Sequence, residues 1–149
     1  MQSIDLNVFQ ASKFLFKKVG LSESTQIDLE IILGSGLDGV SEILTSKHEI
    51  SFQSIPHFPK LSVSEHLGQF VFGKLEDQYI CIIQGRLHYY EGYDMQTVSL
   101  PVRILGVLGI KNLIVANAVG ALNKRFNPGD FVLIKDRDGL FLPSPSHWL

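Results

Sequence analysis

Leu29-Glu-Ile-Ile-Leu33, followed at once by Gly34-Ser-Gly36-Leu-Asp-Gly39, sets the frame for the whole chain. A short apolar run with β-branched residues that halts at glycine predicts a buried strand ending in a tight turn. Asp38 to Leu44 can then form a short helix. Upstream, Asp5 to Val19 predicts a helix with Leu6, Phe9, Lys13 (through its stem) and Phe16 on one stripe, closed by Gly20. Downstream, His48 to Phe52 predicts a strand, and a Pro-containing loop follows around Ile55-Pro-His-Phe-Pro59. Gln69 to Leu75 and Gln78 to Ile83 are separated by Glu76-Asp77, the spacing of a hairpin. Val98, Val102, Leu105 and Leu108 recur at helical spacing, with Pro101 near the start where proline is tolerated. Leu113 to Ala116 and Phe131 to Lys135 predict two further buried strands. Strands alternating with helices, with one hairpin inserted, give an α/β fold with a mixed central sheet flanked by helices.

The composition fits that architecture. The chain has 149 residues, 45% of them hydrophobic and 19% charged, which supports one packed domain and not a disordered segment. A formal net charge of −2 without any basic run argues against nucleic acid or an anionic membrane surface as partner. No apolar run approaches the roughly 18 residues of a membrane span. The start, MQSIDLN, lacks the pattern of a signal peptide. The single cysteine, Cys81, lies inside an apolar run, as a reduced core residue of a cytoplasmic protein would. No pair of His, Cys or Asp residues has metal-ligand spacing, so no metal is expected.

Two segments carry chemistry. Gly34-Ser-Gly36-Leu-Asp-Gly39 satisfies G-x-G-x-x-G after a predicted strand, a pattern shared by dinucleotide-binding turns. A second strand ending in an acidic residue about 20 positions on would complete that fingerprint. The region in question, Ile55 to Lys60, is a proline loop instead. A plain turn that needs glycine for its backbone angles, and an anion site that uses the Ser35 hydroxyl, are the other readings.

Gln84-Gly-Arg-Leu-His-Tyr-Tyr-Glu-Gly-Tyr93 is the more informative segment. It packs one arginine, one histidine, three tyrosines and one glutamate into ten positions after an apolar strand. The Arg86 fork suits two phosphate oxygens and His88 can donate to a third. Glu91 can orient neighbouring donors or hold His88 in its charged form. Tyr90 offers a ring face and a hydroxyl, which suits a sugar. The bland alternative is a surface loop whose arginine and glutamate pair.

Taken in order, Gly34-Ser-Gly36-Leu, Ile55-Pro-His-Phe-Pro59, His66-Leu-Gly68, Gln84 to Tyr93, Pro101-Val-Arg103, Asn117-Ala-Val-Gly120 and Gly129-Asp130 resemble the purine nucleoside phosphorylases of the trimeric class. The resemblance runs from about Leu29 to Asp136. It implies a nucleoside phosphorylase-like α/β fold. It also implies a reaction in which inorganic phosphate, the co-substrate, cleaves the N-glycosidic bond of purine (deoxy)nucleosides to give base and (deoxy)ribose 1-phosphate, with no other cofactor. By the same resemblance Ser35, His66, Arg86, His88 and the Ala118 amide hold phosphate, Tyr90 contacts the ribose, and Glu91 supports the phosphate shell. The partners implied are phosphate and a purine nucleoside, within a homotrimer.

Three features depart from the family. Glu65 stands where the family usually has glycine. Val119 replaces a small alanine. After Asp136 the family continues with histidine and asparagine, then with about as many residues again, whereas this sequence reads Arg137-Asp-Gly-Leu-Phe and reaches Leu149. Residues 1–136 are therefore expected to form the N-terminal part of a nucleoside phosphorylase domain, and residues 137–149 a divergent tail. The family's base-holding glutamate and asparagine, its histidine facing the ribose 5′-hydroxyl and part of its trimer contact lie in the portion not represented. The expectation is a truncated, catalytically impaired phosphorylase. The alternatives are a remnant that associates with full-length subunits and a dinucleotide-binding module.

Overall fold

The computed structural model describes residues 5–22, 25–59 and 68–136. It divides the chain into two compact units, Met1–Asn117 and Ala118–Leu149. His66, Glu65 and the 137–149 tail lie outside the described residues.

The first unit is built on a five-stranded mixed sheet. Its strands are β1 (Leu29–Ile32), β2 (Thr45–Ser51), β3 (Gln69–Leu75), β4 (Gln78–Gln84) and β5 (Leu113–Val115). Their order across the sheet is β2-β3-β4-β1-β5. β2, β3 and β4 run antiparallel, whereas β4, β1 and β5 are parallel, with Leu29 opposite Ile80 and Ile32 opposite both Ile83 and Val115. The two-residue connection Glu76-Asp77 closes the β3–β4 hairpin with Leu75 opposite Gln78, and Glu76 takes the positive φ of 54° that such a tight turn demands.

Helix α1 (Leu6–Val19) is capped at both ends by its own sequence. The Asp5 carboxylate accepts from the Asn7 amide at 2.9 Å, and Gly20 closes the last turn at a φ of 71°. The stripe that packs inward is Val8, Ala11, Ser12, Leu15 and Val19. The expected Leu6–Phe9–Lys13–Phe16 stripe is thus displaced: Leu6 and Phe9 are exposed, and the Lys13 ammonium sits over the Phe9 ring. Small Ala11 and Ser12 let α1 approach its neighbour closely, and large residues at that seam would hold the layers apart. The neighbour is α3 (Leu100–Val107), which begins with Pro101 in its first turn. A short α2 (Met95–Val98), capped by Asp94 through the Thr97 amide, precedes it, so Val98 closes α2 instead of opening α3.

The larger core joins α1 and α3 to one sheet face through Leu15, Ile32, Cys81, Ile83, Ile104 and Leu105, and extends into the aromatic group Phe52, Phe58, Phe70 and Phe72. The opposite face carries a smaller cluster, Leu33, Leu44, Val71, Ile80 and Ile82, packed by Leu37 and Val40 around a 3₁₀ turn at Asp38–Ile43. Cys81 is fully buried as expected, and burial pushes its thiol pKa up.

Two sequence expectations fail in the last third of the chain. β5 forms at the predicted place, yet Leu113, Ile114 and Val115 are 43%, 50% and 54% exposed instead of buried. β5 is an edge strand, and among the described residues no layer covers it. Phe131 to Lys135 is not a strand, because an extended segment becomes one only when a neighbour completes its ladder. Within residues 118–136 of the second unit the ordered features are turns. Asp130 donates to the Asn127 carbonyl around Pro128 and Gly129 (φ 96°), and the Asp130 carboxylate accepts from the Asn127 amide at 2.7 Å.

Candidate functional site

Parallel strands bring their C-terminal ends to one edge of a sheet, and whatever follows each strand meets there. Behind β1 comes the Gly34–Leu37 turn, behind β4 the Gly85–Tyr93 loop, and behind β5 the Ala116-Asn117 pair.

The Gly34 carbonyl accepts from the Leu37 amide at 3.2 Å, and Gly36 sits at a φ of 81°, the position of a tight turn that favours glycine. Ser35 stands exposed at the corner. Gly34 is required for a second reason. A Cβ placed there would lie 2.7 Å from the Ala116 carbonyl oxygen and 2.8 Å from the Asn117 Cα, so this backbone runs directly against the end of β5. After the turn comes the 3₁₀ segment, and then β2 at the far edge of the sheet, antiparallel to β3. No helix leads from β1 to a parallel neighbour, so the glycine spacing serves a turn and a close approach, and the framework of a dinucleotide site is lacking.

Arg86 lies at the junction of the three strand ends. Its Nε donates to the Leu33 carbonyl at 3.2 Å, and its Nη2 donates to the carbonyls of Ile32 (3.4 Å) and Ala116. The guanidinium therefore clasps the ends of β1 and β5 through Nε and Nη2. Partial burial draws the Arg86 pKa below its ordinary value, yet a guanidinium stays charged. A charge held half out of water by neutral carbonyls still favours an anionic partner. The surface-loop reading, in which Arg86 pairs with Glu91, is not what forms.

His88 and Glu91 brace one another across a single turn. The Glu91 carboxylate accepts from the His88 amide at 2.8 Å, and the His88 ring accepts from the Glu91 amide. A ring nitrogen that accepts carries no proton, so in the neutral ring the other nitrogen carries it and points away as a donor. Tyr90 stacks on the same ring at 4.8 Å between centroids while its own surface stays mostly exposed. Glu91 thus orients His88 through the backbone.

The structure brings Ser35, Arg86 and the Ala116-Asn117 end of β5 to one sheet edge, and joins His88, Tyr90 and Glu91 on the loop that leaves the same edge. His66 falls outside the described residues. Ala118 and Val119 are exposed and open the second unit.

Sequence reading missed three residues. Gln84, taken as the start of the loop, is the last residue of β4 and is buried. Its amide donates to the Asp38 carbonyl (2.8 Å) and to the Ser41 hydroxyl, and its oxygen accepts from Gln69 at 2.6 Å. It ties the segment behind the glycine turn to the end of β4, and the signal was a polar residue ending an apolar run. Arg103, quoted only as part of a motif, pairs at 3.5 Å with Asp5 at the start of α1. Glu30, inside the first strand, is 2% exposed, and its Oε1 has no hydrogen-bond partner among the described residues. Burial raises its pKa from 4.5 to about 8.

The profile of the Phosphorylase superfamily matches residues 28–147, which takes in every strand and loop just described. The chain belongs to the phosphorylase superfamily. Within that superfamily it is 44% identical over 127 residues to purine nucleoside phosphorylase 1 of Geobacillus stearothermophilus, covering 85% of this chain and 45% of the relative. It is 43% identical over 110 residues to the purine nucleoside phosphorylase of Rattus norvegicus, covering 74% and 38%. Among solved structures, isoform 2 of the Schistosoma mansoni enzyme in complex with cytosine and ribose-1-phosphate superposes with a TM-score of 0.76. It shares 37% identity, over 87% of this chain and 44% of that one. The Schistosoma mansoni enzyme in complex with inosine gives 0.72 at 39% identity, over 85% and 42%. The chain therefore matches the N-terminal part of purine nucleoside phosphorylases and spans less than half of their length.

Proposed function

We propose that this chain carries the phosphate-holding end of a purine nucleoside phosphorylase, with phosphate as co-substrate and no other cofactor. The observation that carries the proposal is the meeting of the Ser35 turn, Arg86 and the Ala116-Asn117 strand end at the C-terminal edge of three parallel strands. In this reading the Ser35 hydroxyl, Arg86 Nη1 and the His88 ring N–H hold the anion and Tyr90 lies against the sugar, while His66 and the Ala118 amide are phosphate ligands on the family resemblance alone. Several charge-assisted donors together offset the cost of taking a multiply charged anion out of water.

The reaction is a displacement at the anomeric carbon. A phosphate oxygen forms the new bond to C1′ as the C1′–N9 bond breaks, and its electron pair leaves on the purine, which takes up a proton. The ring passes through an oxocarbenium-like state, so an anion fixed beside C1′ stabilises the charge that develops there. Glu91 acts one step removed, by holding the His88 ring in the orientation that donates. A cytoplasmic setting belongs to the same reading.

Phosphate titration followed by thermal unfolding tests the site separately from turnover. Inorganic phosphate raises the melting temperature of the native chain and NAD does not. Arg86→Lys, which loses the fork, weakens the phosphate effect at least tenfold. Equal stabilisation of both proteins by phosphate removes Arg86 from the site. Phosphate-dependent release of hypoxanthine from inosine checks the reaction itself.

A further inference from the structure

Gln84 is the last residue of β4, and beyond it Gly85 takes a φ of 82°, a left-handed bend that favours glycine. Arg86 is the next side chain after that bend. Glycine prescribes no direction of its own, so the course of the chain from β4 to Arg86 is set by the anchors on either side. On the far side these are the bonds of Arg86 to the carbonyls of Leu33, Ile32 and Ala116. On the near side it is the buried Gln84 carboxamide. Its Nε2 donates to the Asp38 carbonyl at 2.8 Å and to the Ser41 hydroxyl at 3.1 Å, and its Oε1 accepts from Gln69 at 2.6 Å. A carbonyl can only accept, which fixes the nitrogen of the amide toward Asp38 and leaves the oxygen for Gln69. The Ser41 hydroxyl donates in turn to the Asp38 carbonyl at 3.2 Å and closes the network.

Backbone pairing already ties β3 to β4, with Gln69 opposite Gln84. The segment behind the Ser35 turn has no such tie. The Leu37, Val40 and Leu44 amides donate only to nearby carbonyls, those of Gly34, Leu37 and Ser41. The polar link from that segment to the end of β4 runs through the Gln84 side chain. An apolar residue would fill the same space without the cost of burying an amide, so packing alone does not call for glutamine. What the amide adds is direction. We propose that Gln84 is a positioning residue of the phosphate site, which holds the Ser35 turn and the Arg86 loop in one register. The proposal rests on the phosphorylase reading for the identity of the anion, whereas the register can be measured without it.

The test compares the whole native chain with Gln84→Met, which keeps the length of the side chain and removes every bond of the carboxamide. Inorganic phosphate is titrated by calorimetry at a temperature where both proteins are folded, and proton exchange is followed at the Leu37 and Val40 amides and at Arg86 Nε–H. The expected result is phosphate binding weaker by about tenfold to a hundredfold in Q84M. The three protons exchange about tenfold faster, while the Ile82 amide in mid-β4 is unchanged. Gln84→Glu supplies the rescue, and carries the test if Q84M does not fold. At about pH 5 its buried, protonated carboxyl donates to the Asp38 carbonyl and accepts from Gln69 as the amide does, and at about pH 8 the ionised group has no proton to give. Phosphate affinity of Q84E, taken relative to the native chain at the same pH, is therefore near native at the lower pH and about tenfold weaker at the higher. Equal phosphate affinity of Q84M and the native chain overturns the proposal, and so does a Q84E ratio that ignores pH. Unchanged exchange at the three protons overturns it in every case. If the native chain binds no phosphate, the phosphorylase reading of the site fails, and faster exchange in the variants still leaves Gln84 as the anchor of the two segments.

Discussion

β4 and β5 are written in the same vocabulary and meet opposite fates. Ile80-Cys-Ile-Ile83 is essentially inaccessible, with neighbours on both sides and packed layers on both faces, whereas Leu113-Ile-Val115 stands about half exposed at the rim. An apolar run states what a strand requires. Whether the requirement is met depends on residues elsewhere that supply a ladder and a cover. Burial therefore cannot be read from a strand's own sequence.

The sharpest way to break the comparison is to cut the same side chain in both strands. Ile82→Ala, in the closed cluster with Leu33 and Val71, is expected to cost about 2–5 kcal/mol in urea unfolding. A value near zero would mean that β4 is no better packed than β5. The next effect concerns Glu30, which pairs with Cys81 of β4 on one side and with Leu113 of β5 on the other. Its pKa rises from 4.5 to about 8 through burial, so between those values the folded chain holds a proton that the unfolded chain has released. Stability then falls as pH rises from about 4.5 to about 8 and levels off above, at about 1.4 kcal/mol for each unit of the shift. Unfolding midpoints at pH 5 and pH 8 measure this, and Glu30→Gln should flatten the slope. An unchanged slope in that variant would place the titration elsewhere.

Gly34→Ala probes the contact between β1 and β5 directly. Its methyl meets the Ala116 carbonyl and the Asn117 backbone, neither of which can swing aside, and a loss of about 1–3 kcal/mol is expected. A neutral result would show that the end of β5 yields freely. Ile114→Ala closes the series, with a change within about 0.5 kcal/mol for the isolated chain. A loss as large as that of Ile82→Ala would show that β5 is already covered in solution.

Most of the first unit was legible because its signals are local. Asp5 and Gly20 mark the limits of α1, Glu76-Asp77 fixes the hairpin, and glycine ends β1. The inward stripe of α1 was misjudged because a helix chooses its buried face by what it packs against. Close approach to α3 favoured Ala11 and Ser12 over the bulkier Leu6 and Phe9. The residue types of the candidate site could be read from the loop at Gln84 to Tyr93, but their partners could not. That Arg86 would reach the carbonyls of Ile32, Leu33 and Ala116 depends on three strand ends meeting, over separations that no local pattern reports. Glu30 escaped notice since a single carboxylate in an apolar run looks like the outward position of an alternating strand.

The brace between His88 and Glu91 has a kinetic and entropic meaning. The ring is oriented by groups three residues away, within one turn, and Tyr90 lies flat against it. Its torsions are frozen as soon as that turn forms, whatever happens at the far rim of the sheet. Under the proposed function, an arriving oxyanion meets a donor that is already aimed and forfeits little rotamer freedom on contact.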